Sequence, residues 1–262
     1  MLVNGELADS VKANDRGLMY GDGVFRTLRI RNGVPLHWAR HYSRLAHDCE
    51  TIGIACPAIE LIEEDLKLVS ERNPECVVKI VVTRGEGGRG YLPEASIVPT
   101  RIVMASPVPE HAKLTEVAAR FCDIRLSSQP RLSKIKHLNR LENVLARMEW
   151  RDPAISEGLL LDAEGHVIEG TMSSLFLYHG GCLIAPDLEF CGVEGVQRER
   201  VLEFASESGL PVQVRSFFQD DLLKAEEVFL VNSVIGLWQV VEIGNASWKK
   251  GKFCATLRAW LQ

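Results

Sequence analysis

The apolar positions of this chain switch between a period of two and a period near 3.6 several times, and those switches lay out its elements. Gly23-Val-Phe-Arg-Thr-Leu-Arg-Ile-Arg alternates apolar and polar residues, Asn32-Gly33 interrupts it, and Val34-Pro-Leu-His resumes. Alternation about an Asn-Gly pair predicts a β-hairpin. The spacing predicts helices over 38–52 and 58–71, then strands over 75–83 and 101–106 with a glycine-rich segment between them. Pro107-Val-Pro-Glu-His-Ala-Lys is polar and carries two prolines, which marks a linker. The expected division is a smaller α/β domain over 1–108, a linker over 109–116 and a larger domain over 117–262. The second part opens with a strand over 117–126, and Gly158-Leu-Leu-Leu-Asp with His166-Val-Ile-Glu forms another hairpin. Ser174-Leu-Phe-Leu-Tyr continues the sheet, an amphipathic helix covers 195–208, strands cover 211–217 and 227–231, and a helix closes the chain over 251–261. Leu138, Leu141, Leu145 and Met148 predict one further helix, starting just after Lys136. The fold class is α+β with two domains.

Composition narrows the field. With 46% hydrophobic and 25% charged residues, the chain has the make-up of an ordinary soluble protein. A net charge of -5 and a pI near 5.9 argue against nucleic acid as a partner. No apolar run reaches the roughly 18 residues that span a bilayer, so no membrane association is expected. The N-terminus shows no basic region followed by a long apolar one, and no secretory signal is read there. Seven scattered cysteines, at 49, 56, 76, 122, 182, 191 and 254, contain no C-x-x-C pair. They read as thiols in a reducing compartment, with the cytoplasm as the expected location. The seven histidines show no ligand spacing, and no metal is expected.

Several segments carry candidate chemistry. A lysine held against a packed element can be partly desolvated, as an imine-forming amine requires, and Lys136 has that setting. A solvated lysine at a helix start is the competing reading, and it suits Lys134 better. Glu169-Gly170-Thr-Met-Ser-Ser puts a carboxylate at a strand end beside small residues that let a flat ring approach. Gly195-Val196-Gln197 precedes a helix whose free amides suit a phosphate, and a plain capping turn would look the same. Asn232-Ser233 ends a strand with two further polar groups. Arg40 and Arg44 share a helix face, where either would grip a phosphate bidentately or be solvated. Thr83-Arg84-Gly-Glu-Gly-Gly-Arg89-Gly90-Tyr91 is a loop of four glycines with two arginines for carboxylates. It lacks the Gly-Lys-Ser/Thr of a P-loop, and a flexible surface loop is the alternative.

Together these segments resemble the pyridoxal-phosphate enzymes of fold type IV, the D-amino-acid and branched-chain aminotransferase fold. The resemblance runs through Asp15-Arg-Gly-Leu-Met-Tyr-Gly-Asp-Gly-Val-Phe, His41-Tyr-Ser-Arg44-Leu, Lys136, Glu169-Gly, Gly195-Val-Gln-Arg and Asn232-Ser. Ile135-Lys136-His-Leu-Asn-Arg-Leu-Glu and the glycine loop are similar to the 4-amino-4-deoxychorismate lyases. The resemblance implies pyridoxal 5'-phosphate as cofactor, anchored on Lys136 and bound by the larger domain. Glu169 would pair with its ring nitrogen, and Arg44, the backbone of Val196 and Gln197, Asn232 and Ser233 would hold its phosphate. It further implies a homodimer and a small-molecule substrate, 4-amino-4-deoxychorismate, split into 4-aminobenzoate and pyruvate on the way to folate. Lys136 would move the proton, Lys136 or Thr27 would serve as acid, and Arg84, Arg89 and Tyr91 would meet the substrate. The same lysine, glutamate and phosphate grip would also serve a transaminase. Phe25 disfavours that, because D-amino-acid transaminases tend to carry tyrosine there. A non-catalytic relative is the third reading, and the intact lysine argues against it.

Overall fold

The computed structural model describes residues 1–262. The chain divides into two compact units, Met1–Val108 with Ile135–Asn139, and Pro109–Lys134 with Arg140–Gln262. The first contains β1 (Leu2–Val3), β2 (Glu6–Leu7), α1 (Arg16–Tyr20), β3 (Gly23–Arg31), β4 (Val34–Pro35), α2 (Trp38–Thr51), α3 (Ile59–Arg72), β5 (Cys76–Thr83) and β6 (Thr100–Ser106). Its six-stranded sheet has the order β2-β1-β6-β5-β3-β4. Asn32 and Gly33 turn the β3–β4 hairpin with φ of 51° and 77°, the paired left-handed geometry that Asn-Gly adopts at least cost.

Alternation along β3 and β5 gives that sheet two unlike faces. Val24, Leu28 and Ile30 join Val78, Ile80 and Val82 in a core completed by Leu45 and Cys49 of α2 and Ile62 and Leu66 of α3. Phe25, Thr27 and Arg29 occupy the opposite, half-buried positions, with Lys79 of β5 paired directly across from Thr27. Arg26 belongs to the apolar, helix-covered face and is buried there.

The second unit holds a 3-10 turn (Glu110–Lys113), β7 (Glu116–Leu126), α4 (Leu141–Met148), β8 (Ile155–Asp162), β9 (Val167–Gly170), β10 (Ser174–His179), β11 (Cys182–Ala185), α5 (Val196–Glu207), β12 (Val212–Val214), α6 (Gln219–Leu223), β13 (Glu227–Asn232), β14 (Gly236–Ile243), β15 (Ala246–Ser247) and α7 (Lys252–Leu261). Strands β10, β13, β14, β7, β8 and β9 pair in that order, and β9 pairs back to β10, so six strands close a barrel. Leu159, Leu161, Leu175, Leu177, Val228, Leu230, Trp238 and Val240 fill it. The intervening Phe176, Phe229 and Val231 point outward against Val201 and Phe204 of α5 and Leu257 and Leu261 of α7. Strands covered on both faces read as continuous apolar runs, and β10 and β13 do. No helix is long and apolar enough to cross a membrane.

Three expectations change. The helix predicted from Leu138 begins at Leu141, because the Leu138 N–H donates to Gly23 O at 2.9 Å and the Asn139 amide donates to Gly21 O at 3.3 Å. The strand expected over 211–217 shortens to Val212–Val214, its end serving instead as a loop whose Phe217 carbonyl accepts the Val167 N–H. The apolar stripe of α4 also points outward: Leu141, Val144, Leu145 and Met148 are 68, 52, 44 and 59% exposed, and only Ala146 is buried.

Candidate active site

Lys136 lies in an irregular stretch five residues before α4, not at the mouth of a helix. Its carbonyl accepts the Phe25 N–H at 2.9 Å, and its own N–H donates to Asp48 Oδ2 at 3.0 Å. The peptide is therefore fixed from β3 on one side and from α2 on the other. Its amine sits 4.7 Å from the centre of the Phe25 ring, a cation–π distance. Lys79 Nζ approaches the same ring at 4.6 Å, and burial alone pushes its pKa down. Lys134, two residues earlier, is exposed. Thr27 shares the Phe25 face, opposite Lys79. Arg44 is half-buried on α2, one turn before Asp48, and its carbonyl accepts from Arg26 at 3.2 Å.

The glycine-rich loop is tied down. Arg16 donates through Nη1 to Gly90 O at 2.8 Å and through Nη2 to Tyr91 O at 2.9 Å. Asp22 Oδ2 receives the Nε of both Arg16 and Arg84, at 2.9 and 2.8 Å. Burial raises the Asp22 pKa, and the two guanidiniums more than offset it, so the carboxyl lies below its usual range. Arg84 also donates to Gly53 O and Ile52 O at 2.6 and 2.7 Å, so this arginine clasps the end of α2. Arg89 is exposed, and Tyr91, 88% exposed, rests edge-on against Tyr20 at 5.6 Å.

The second unit gathers the other predicted residues. Glu169 is buried at the end of β9, in register with Ser174, where the barrel closes. Its Oε2 accepts the Val193 N–H at 2.9 Å. Gly192, at a φ of 92°, leaves room here, since a Cβ would press into Leu188 and Ile168. Helix α5 then starts at Val196 with Gly195 as a cap lacking any side-chain bond. The first-turn amides of Val196 and Gln197 are unused by the twelve-residue helix itself, the arrangement that suits an anion. Asn232 Oδ1 accepts from Val234 N and Ile235 N at 2.8 and 2.9 Å and orders the turn that contains Ser233. Its amide donates to Met172 O at 3.0 Å, which ties this turn to the one following Glu169. The predicted residues thus fall into two sets. Lys136, Thr27, Arg44 and the glycine loop belong to the first unit, and Glu169, Val196, Gln197, Asn232 and Ser233 belong to the second.

The amino-transferase class IV family profile matches residues 23–243. This chain belongs to that family. Aminodeoxychorismate lyase of Vibrio harveyi is 34% identical over 238 residues, covering 90% of this chain and 88% of that protein. The crystal structure of 4-amino-4-deoxychorismate lyase from Pseudomonas aeruginosa superposes with a TM-score of 0.94 at 42% identity, covering 99% of this chain and 97% of that one. A putative branched-chain-amino-acid aminotransferase of Methanocaldococcus jannaschii is 30% identical, over 92% of this chain and 86% of that protein.

Within this class IV chain, sequence reasoning missed one charged residue in each unit that neighbours the predicted ones. Glu157 is fully buried, and burial pushes its carboxyl up while bonds from Thr171 and Ser173 pull it down. It accepts from Thr171 Oγ1 at 2.5 Å, Ser173 Oγ at 2.8 Å and Thr171 N at 3.1 Å, fixing the turn after Glu169. Its only sequence signal is an acid inside an apolar strand, Ile155-Ser-Glu-Gly-Leu-Leu-Leu. Lys79, set in Cys76-Val-Val-Lys-Ile-Val-Val, carries the same kind of signal.

Proposed function

We propose that this class IV enzyme is a pyridoxal-phosphate-dependent lyase that converts 4-amino-4-deoxychorismate to 4-aminobenzoate and pyruvate, a step towards folate. The observation that carries the reading is Lys136, an amine on a peptide held from both sides and set over Phe25. The family is pyridoxal-phosphate-dependent. The residues present fit that cofactor: an amine to anchor it, a buried carboxylate for a protonated ring nitrogen, and an uncapped helix N-terminus for its phosphate. Bound, it supplies an electron sink for the charge left when a proton leaves the amine-bearing carbon.

Lys136 would anchor the cofactor through Nζ, and the same Nζ would take up the proton from the substrate's amine-bearing carbon. Glu169 keeps the ring nitrogen protonated. Arg44, the amides of Val196 and Gln197, and the Asn232-Ser233 turn hold the phosphate. Loss of the enolpyruvyl group aromatises the carbocycle, and Lys136 Nζ or the Thr27 hydroxyl protonates the departing group. Two substrate carboxylates call for cations. Lys79, on the Phe25–Thr27 face, and Arg89 with Tyr91 on the loop fill that role, while Arg84 holds the loop in place through Asp22.

The exposed α4 stripe of Leu141, Val144, Leu145 and Met148 supports a homodimer, because an apolar row of that length seldom faces water. Seven free cysteines support a cytoplasmic location. The test is an absorbance spectrum of the purified protein before and after borohydride. A visible band that borohydride removes, with the pyridoxyl label mapping to Lys136, is expected. Release of 4-aminobenzoate and pyruvate, with no amine passed to a 2-oxo acid, then separates the lyase from a transaminase. A protein that stays colourless with added pyridoxal phosphate overturns the reading.

A further inference from the structure

The helix-covered face of the first unit's sheet is apolar except at Arg26, which is 2% exposed among Val24, Leu28 and Ile30. Its guanidinium forms a short ion pair with Asp48, which is 1% exposed on α2. Burying two charges costs several kcal/mol per ion before their attraction is counted, and a pair of apolar residues often serves stability as well. This pair is also incompletely satisfied, since Arg26 Nε and Asp48 Oδ1 find no hydrogen-bond partner. A pair that costs this much and leaves one atom of each partner unbonded is poorly explained by stability.

Its remaining contacts point elsewhere. Asp48 Oδ2 accepts the backbone N–H of Lys136 at 3.0 Å. Arg26 Nη2 donates to the carbonyl of Arg44 at 3.2 Å, one helical turn before Asp48. Arg26 therefore binds two successive turns of α2 while its strand neighbour Phe25 binds the Lys136 carbonyl. Both backbone hydrogen bonds of residue 136 described above therefore involve Asp48 or the strand neighbour of Arg26.

We propose that Asp48 and Arg26 are positioning residues for Lys136: Asp48 fixes the peptide from which the amine projects, and Arg26 locks that carboxylate to the turn of α2 that carries Arg44. The inference rests on Lys136 being the cofactor anchor. A misplacement of about 1 Å in a reacting group can cost on the order of a hundredfold in rate, so a peptide clamp is a sensitive point of control.

Three variants test it. Asp48→Ala removes both contacts, Asp48→Asn keeps an acceptor for the Lys136 N–H, and Arg26→Met/Asp48→Leu replaces the pair with apolar residues of similar volume. Two readouts are taken on each. One is the rate at which Lys136 in the cofactor-free protein reacts with an amine-directed acylating reagent, followed by mass spectrometry. The other is the affinity for pyridoxal phosphate, alongside the urea midpoint. The apolar pair is expected to recover wild-type stability, yet to show cofactor affinity weakened about 10- to 100-fold and a changed Lys136 reactivity. Asp48→Asn should lie between it and wild type. Wild-type reactivity and affinity in the folded apolar-pair variant would overturn the proposal and leave the pair a packing element. Failure of the underlying assignment looks different: the borohydride label of the wild-type protein would then fall on a residue other than Lys136.

Discussion

Lys136→Ala deletes the amine but neither hydrogen bond that fixes its segment, because Phe25 and Asp48 both engage the backbone of residue 136. Turnover should therefore fall at least about a thousandfold while the urea midpoint stays close to wild type. Retained lyase activity in this variant would remove Lys136 from the mechanism. Lys79 is a different kind of residue. It reaches the Phe25 ring from β5, and the proposed scheme gives its charge to a substrate carboxylate. Lys79→Met keeps the length of the side chain and drops one charge-assisted contact worth about 1.5–3 kcal/mol, which predicts a KM raised roughly tenfold or more with kcat little changed. Steady-state kinetics with 4-amino-4-deoxychorismate decides this. A fall in kcat at constant KM would place Lys79 in the chemical step instead.

Among the elements, local pattern was legible wherever one period ruled a whole segment. The β3–β4 hairpin and the helices Trp38–Thr51 and Ile59–Arg72 match the reading closely, since Asn-Gly and a 3.6-residue period act over neighbouring residues. Strand β14 was not legible, because Leu237, Trp238, Gln239 and Val240 are all buried and show no alternation. The clamp on Lys136 was not legible either. Its acceptor Asp48 lies 88 residues away, and nothing in His47-Asp48-Cys49 announces a target. Helix α4 shows a further limit of periodicity, which finds an apolar stripe without telling what covers it. Leu141, Val144, Leu145 and Met148 form such a stripe, and all four are exposed. If a second copy covers it, Leu145→Lys should convert a dimer to a monomer in sedimentation. Lysine is as good a helix former as leucine, so far-ultraviolet dichroism should not change. A variant that sediments like wild type would exclude this stripe from the interface.

At the scale of the whole molecule, the buried charges of the first unit make stability depend on pH through His41. The residue is 3% exposed on α2, and neither ring nitrogen has a hydrogen-bond partner. Burial, then the charges of Arg26, His37 and Lys136, push its pKa down from the usual 6.5 to about 3. The folded protein thus keeps His41 neutral at pH values where the unfolded chain binds a proton. The sign follows: the contribution is complete above about pH 6.5, declines as pH falls, and is spent near pH 3. Each pKa unit corresponds to about 1.4 kcal/mol, so between pH 7 and pH 4.5 this single group removes about 2–3 kcal/mol of stability. His41→Leu replaces the ring with an apolar side chain that has no nitrogen to satisfy. The variant should be at least as stable at pH 7, since two unbonded polar atoms are gone. Its loss of stability on going to pH 4.5, read from urea midpoints, should be smaller than that of wild type by the same 2–3 kcal/mol. The wild-type imidazole resonance should meanwhile show no titration above about pH 4. If that resonance titrates near 6.5, or if both proteins weaken equally in acid, His41 is not the group that sets the acid limit of this fold.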